Sequence, residues 1–204
     1  MIMKQKTTVQ PKAKKKAKRQ RPLRVGFDFD GVVIYNPARI LRPFASFIKK
    51  KNLVKRKELE FFIPEKNWEK FLWWLAHQSS LFPAKGWSQV KHLKQQGKIE
   101  PYLITGRNTF LKSDLEFKFR LFGLDNIFNS VHITENNEQP HIFKERIIKE
   151  LKLDVFVEDN WDIVSYLNQC HLPTKIIWVT NIVDSQKIKY PYKVKNLQEA
   201  LESI

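Results

Sequence analysis

The sequence predicts an α/β protein: a doubly wound parallel sheet of Rossmann-like type with a small helical insertion. Short apolar runs bounded by turn residues alternate with amphipathic stretches of helical length, as strands joined by crossover helices do. Acidic residues gather just past several of those runs, where open α/β sheets bind their ligands. The 74 residue steps from Gly31 to Thr105 exceed what one turn and one helix require.

Leu23 to Phe29 reads as the first strand, ending in Asp28, Asp30 and a Gly31 turn. Residues 38–51 carry Ile40, Leu41, Phe44, Phe47 and Ile48 at helical spacing, with Pro43 starting or bending a helix there. Residues 55–62 read as a short helix stopped by Pro64, and residues 65–78 as a helix with Trp68, Phe71, Leu72 and Leu75 along its apolar face. Residues 84–96 form an amphipathic helix ending before Gly97. Strands follow at 100–104, 130–133, 154–158 and 175–179, and helices at 110–122, 141–152, 161–168 and 196–204. The expected organisation is a basic tail at 1–22, an α/β core at 23–35 and 83–204, and a helical cap at 36–82.

The chain has 204 residues and a net charge of +16, with 37 Lys and Arg against 21 Asp and Glu. Residues 1–21 hold Lys4, Lys6, Lys12, Lys14, Lys15, Lys16, Lys18, Arg19 and Arg21 and no acid. Without those nine cations, 28 face 21 acids, a net of +7. So basic and apolar-poor a tail cannot bury enough surface to offset its ordering entropy, so disorder is the expectation. It is read either as a solubility tail or as a non-specific contact for nucleic acid or another polyanion. No apolar run is long enough to span a membrane, and the N-terminus has no apolar signal region, so a cytoplasmic protein is expected. Cys170 is the one cysteine, which excludes an intramolecular disulfide and a cysteine-based zinc site. Nothing in the sequence indicates an oligomeric state.

Past the first strand lie Asp28 and Asp30, past the second Thr105-Gly106-Arg107, and past the fourth Glu158, Asp159 and Asp162; Lys144 stands near the start of the helix before that strand. On a regular strand Asp28 and Asp30 share a face. Carboxylates that converge repel one another unless a positive charge sits among them. Hard oxygen ligands without a His or Cys cluster favour Mg²⁺, which pairs with substrate phosphate. A lysine and a Thr hydroxyl suit phosphate oxygens. Together these residues make a phosphoryl-transfer site. Taken singly, the pieces have plainer readings: a D-x-D-G turn, a solvated lysine, or an Asp159 or Asn160 cap on the helix at 161–168.

At FDFDGV, ITGR, Lys144 and VEDN the chain resembles the haloacid dehalogenase superfamily of phosphohydrolases, over residues 23 to 182. The resemblance implies Asp28 as nucleophile, forming an aspartyl-phosphate, and Asp30 as general acid/base. It implies Thr105 and Lys144 as partners of the phosphoryl group. Mg²⁺ would be held by Asp28, the Asp30 carbonyl and Asp159, with Glu158 acting through water and Asp162 in reserve. Gly106 and Arg107 are the expected substrate contacts, and Arg39 and Arg42 further candidates. Residues 36–82 would be a C1-type cap. Its aromatics Phe61, Phe62, Trp68, Phe71, Trp73, Trp74 and Phe82 form a mini-core, or place one or two rings at the site.

The reading is a Mg²⁺-dependent phosphomonoester hydrolase acting on a small phosphorylated substrate, with a 5′-nucleotidase-like flavour. The alternatives are a phosphatase of nucleic-acid ends and a catalytically silent binding module of the same fold.

Overall fold

The computed structural model describes residues 21–36, 59–135 and 138–204. Residues 1–20, the helical spacing at 38–51 and the beginning of the 55–62 segment lie outside the described residues.

The strands are β1 (Leu23–Phe27), β2 (Ile34–Tyr35), β3 (Phe82–Pro83), β4 (Ile99–Asn108), β5 (Val131–Thr134), β6 (Val155–Glu158), β7 (Lys175–Val179) and β8 (Lys193–Val194). The helices are α1 (Asn67–His77), α2 (Trp87–Gln95), α3 (Lys112–Phe122), α4 (Pro140–Leu151), α5 (Trp161–Gln169), α6 (Ile182–Lys187) and α7 (Leu197–Glu202). Six strands make one parallel sheet in the order β5-β4-β1-β6-β7-β8. The chain winds outward from β1 to β5, then returns to β6 on the other side of β1. The direction of winding therefore reverses between β1 and β6, which opens a crevice at their carboxyl ends.

Period-two alternation sorts the core onto two faces. Val25, Phe27, Leu103, Val157 and Ile177 pack with Val90, Leu115 and Leu201 from α2, α3 and α7. Ile104, Phe156 and Trp178 pack with Phe143, Ile147, Ile163 and Leu167 from α4 and α5. Gly26 lies on this second face. A Cβ there would meet Leu153 Cδ1 at 2.5 Å and Phe156 Cδ2 at 2.9 Å.

Several expectations need correction. The first strand ends at Phe27, two residues early, because Phe29 to Ile34 close a tight turn. The Val33 and Ile34 N–H groups both donate to the Phe29 carbonyl, and Gly31 N–H donates to the Ile34 carbonyl. Gly31 has φ +96°, and a Cβ there would collide with the Asp159 carboxylate. Residues 59–62 hold no helix. The Phe61 N–H donates to Gln139 Oε1 at 2.7 Å, and the Gln139 amide donates back to the Phe61 carbonyl at 3.2 Å, which fixes extended chain. The strand at 100–104 runs on to Asn108.

In α1 the expected apolar face is turned outward. Trp68 and Phe71 are 60% and 58% exposed, with Leu72 and Leu75 also exposed, while Trp73 and His77 are half-buried. Lys118 Nζ donates to the carbonyl of His77 and ties down the end of this helix. The β2–β3 pair, β8 and α6 were not anticipated.

Gly26→Ala is expected to destabilise the protein by about 1–3 kcal/mol through overpacking against Leu153 and Phe156. Urea unfolding of the two proteins measures it.

Candidate active site

Asp28 and Asp30 follow β1, but they do not share a face. The strand has ended, so period two no longer applies. Asp28 turns toward α4 and Asp30 toward α3, and each meets its own cation.

Lys144 of α4 donates to Asp28 Oδ1 at 2.8 Å and to Glu158 Oε2 at 2.6 Å. All three side chains are buried. Burial raises the Asp28 carboxyl well above its ordinary value; Lys144 opposes the rise, and Glu158 and Asp159 add to it. Burial raises Glu158 in the same way. Burial disfavours the Lys144 ammonium, but Asp28 and Glu158 outweigh it and hold its pKa above the ordinary lysine value. The remaining Glu158 oxygen, Oε1, accepts the Asn160 N–H at 3.0 Å.

Oxygens of Asp28, Glu158 and Asp159 lie within 4.8 Å of one another, all buried. The set is all oxygen, and Lys144 brings one positive charge to three carboxylates. That fits a hard dication such as Mg²⁺. Asp162 is exposed on the first turn of α5 and stands outside this group. Asn160 caps that helix, its side chain accepting the Asp162 N–H.

Asp30 belongs to a second network. Arg107 Nε donates to Asp30 Oδ2 at 2.7 Å and Nη2 to Oδ1 at 2.8 Å, while Nη1 reaches Asp114 Oδ2 at 2.6 Å. The Arg107 side chain is 1% exposed. Its guanidinium also lies over the Phe29 ring, 4.8 Å from the centroid. Ser80 Oγ donates to Asp30 Oδ1 at 2.5 Å. Burial pushes the Asp30 carboxyl up, but Arg107 outweighs burial and holds it well below the usual carboxylate range. Lys118 Nζ donates to Asp114 at 3.0 Å and to the His77 carbonyl at 2.7 Å, and the Gln78 amide donates to Asp114 Oδ1 at 2.9 Å. The end of α1 is thus tied through α3 to the site. Burial lowers the His77 pKa, against the pull of Asp30.

Thr105 is buried, and its hydroxyl accepts the Arg107 N–H at 3.3 Å. Gly106 faces Pro140 at the start of α4. Of the candidate residues, the structure brings Asp28, Lys144, Glu158 and Asp159 into one cluster and binds Asp30 to Arg107 in another. Arg107, expected at the substrate, is turned inward to two carboxylates. Sequence reasoning missed Ser80, Asp114, Lys118 and Gln78. The Asp114–Lys118 spacing of four residues was the one legible signal among them.

No family model and no curated protein matches the chain. Solved structures do. One neighbour is a protein from Haemophilus somnus 129PT described as a predicted phosphoglycolate phosphatase, with a TM-score of 0.58 at 13% identity over 91% of this chain and 99% of that one. Another is a haloacid dehalogenase-like family hydrolase from Streptococcus pneumoniae (TM-score 0.55, 10% identity, 89% and 98% covered). A third is YfnB from Bacillus subtilis, assigned as a HAD-hydrolase and described as bound to magnesium (TM-score 0.55, 13% identity, 90% and 99% covered). The fold is that of haloacid dehalogenase-like hydrolases. At these identities the likeness is one of architecture.

Arg107→Met is expected to cost about 3–5 kcal/mol at neutral pH, because it strands two buried carboxylates. Asp30 is depressed in the folded state, so its stabilisation is present above the ordinary carboxylate pKa and is lost as pH falls toward the folded value. The gap between wild type and variant should therefore narrow below about pH 4. Urea unfolding across pH 3–7 checks it, and a pH-independent gap would contradict the pairing.

Proposed function

We propose that the chain is a phosphomonoester hydrolase of the haloacid dehalogenase type that uses Mg²⁺. One observation carries the reading: a buried ammonium, Lys144, bridges the carboxylates of Asp28 and Glu158 at the point where the winding of the sheet reverses. Structural economy does not explain such a cluster, since buried ion pairs rarely outperform apolar packing. It does suit a site where charge on a phosphoryl group is gained and lost.

In this reading an Asp28 oxygen attacks phosphorus, the bond to the leaving oxygen breaks, and that oxygen takes a proton. Water then attacks the phosphorus of the Asp28 acyl phosphate, releasing phosphate and the free carboxylate, and gives up a proton. Lys144 holds Asp28 in place and offsets the charge it carries in both steps. Thr105 and the backbone at Gly106 are the proposed donors to the phosphoryl oxygens. Asp28 and Asp159, with Glu158 and the Asp30 carbonyl, would hold Mg²⁺, which would supply charge neutralisation for the phosphoryl oxygens.

Asp30 is the proposed proton carrier, and its fork with Arg107 bears on that role. An acid so paired is seldom protonated, and its carboxylate is a weak base. The proton role therefore needs the fork to loosen. A phosphate dianion competes for guanidinium in the same bidentate geometry and is a natural trigger.

A second reading, hydrolysis at nucleic-acid ends, is favoured by the placement of charge. Beyond the tail, residues 37–58 hold Arg39, Arg42, Lys49, Lys50, Lys51, Lys55, Arg56 and Lys57 against Glu58 alone. Steeply salt-dependent binding of RNA or DNA, largely lost on deleting residues 1–21, would assign that contact to the tail.

The folded wild type is expected to hydrolyse p-nitrophenyl phosphate only with Mg²⁺ present, and Asp28→Asn to reduce turnover by at least a thousandfold while keeping the wild-type circular dichroism. Asp159→Ala should weaken Mg²⁺ binding in calorimetry more than Asp162→Ala. Wild-type turnover by folded Asp28→Asn would overturn the assignment.

A further inference from the structure

A cavity of about 300 Å³ lies beside the site; among the described residues it is lined by Phe61, Phe62, Ile63, Trp73, Gly106, Asn108 and Pro140. Its place follows from neighbours in sequence. Gly106 adjoins Thr105. Pro140 stands four residues before Lys144 on α4, on the same face and one turn away, about 6 Å along the axis. Trp73 stands one turn before His77, whose carbonyl Lys118 ties to Asp114 and so to Arg107. The cavity is therefore linked to the Arg107 network through α1 and is offset from Lys144 by one helical turn.

Its walls are aromatic. The Phe62 and Trp73 rings stand 5.7 Å apart at 56°, and Phe61 is clamped to Gln139 by two hydrogen bonds. The floor depends on Gly106, where a Cβ would come 3.1 Å from Pro140 Cβ. Asn108 brings a side-chain amide, which both donates and accepts. The volume is at the small end for ligand pockets, enough for one ring system.

We propose that this cavity takes the heteroaromatic ring of the substrate's leaving group, a nucleobase joined to the phosphate through a sugar, so that the substrates are nucleotides. The inference rests on the phosphohydrolase reading for its reaction. Flat aromatic walls select a flat ring over an aliphatic chain. An amide at the wall reads the hydrogen-bonding edge of a base, as Asn does for adenine. The one-turn offset from Lys144 calls for a spacer between phosphate and ring, which a sugar supplies and a simple aryl phosphate lacks.

The test compares adenosine and uridine 5′-monophosphates with ribose 5-phosphate, which lacks only the base. For the wild type with Mg²⁺, the base is expected to raise kcat/KM about tenfold or more, mainly through KM, as stacking of one base commonly does. Trp73→Ala and Asn108→Ala should each pull that ratio toward one. A variant that is merely damaged loses activity on all substrates alike and leaves the ratio unchanged. A wild-type ratio near one, or a ratio that neither variant moves, overturns the proposal. Calorimetric binding of the same three compounds to the wild type separates the two readings. Base-dependent binding without turnover sustains the cavity assignment and sinks the hydrolase. Turnover without base preference does the reverse. Neither turnover nor base-dependent binding sinks both.

Discussion

Two buried cations hold the site together. Lys144 lies between Asp28 and Glu158, and Arg107 lies between Asp30 and Asp114. Taking these charges out of water is costly, and removing one partner leaves the others uncompensated. Much of the surrounding architecture serves that balance. The end of β1 presents Asp28 to α4 and hands Asp30 to the opposite side, while β4 runs on to carry Arg107. Through Asp114 and Lys118, α3 fixes Arg107 from behind and anchors the end of α1. Gly31 lets the turn pass against Asp159 where any side chain would collide. Parallel winding then brings β1 and β6, with their acids, to a common edge.

Much of this was legible in the sequence. The strands near 100–104, 130–133, 154–158 and 175–179 are short apolar runs between clear turn signals, and period two assigns their faces. Glu158-Asp159 and Lys144 could be placed because strand ends of an open parallel sheet converge. What was not legible had no local signal. The β2–β3 pair and β8 span two residues each, too few for any periodicity. The face that α1 turns inward depends on contacts remote in sequence, such as that of Lys118 with the His77 carbonyl, 41 residues apart. Trp68, Phe71, Leu72 and Leu75 have the spacing of a buried face, and spacing alone cannot say which face a neighbour will take. The divergence of Asp28 and Asp30 was hidden because the strand ends at Phe27, and period two holds only while the strand lasts.

The two networks divide the chemistry. The Lys144 cluster is rich in acid and suits a metal ion, a nucleophile and a transferring phosphoryl group. The Arg107 cluster is balanced and links Asp30 to Ser80 and the end of α1. Events at α1 and at the aromatic cavity beside it therefore reach Asp30 through hydrogen bonds. In the proposed mechanism, substrate arrival would be coupled to proton transfer through a local exchange of partners by Arg107.

In the proposed reaction Asp28, aimed and balanced by Lys144, forms the bond to phosphorus. The most direct measurement is acid-quench trapping during turnover of a ³²P-labelled phosphomonoester with Mg²⁺, followed by peptide mapping. The expected result is an acid-stable, alkali-labile label on the peptide that contains Asp28, absent from Asp28→Asn. Label on another peptide, or rapid turnover with no trapped label under any quench, would contradict it.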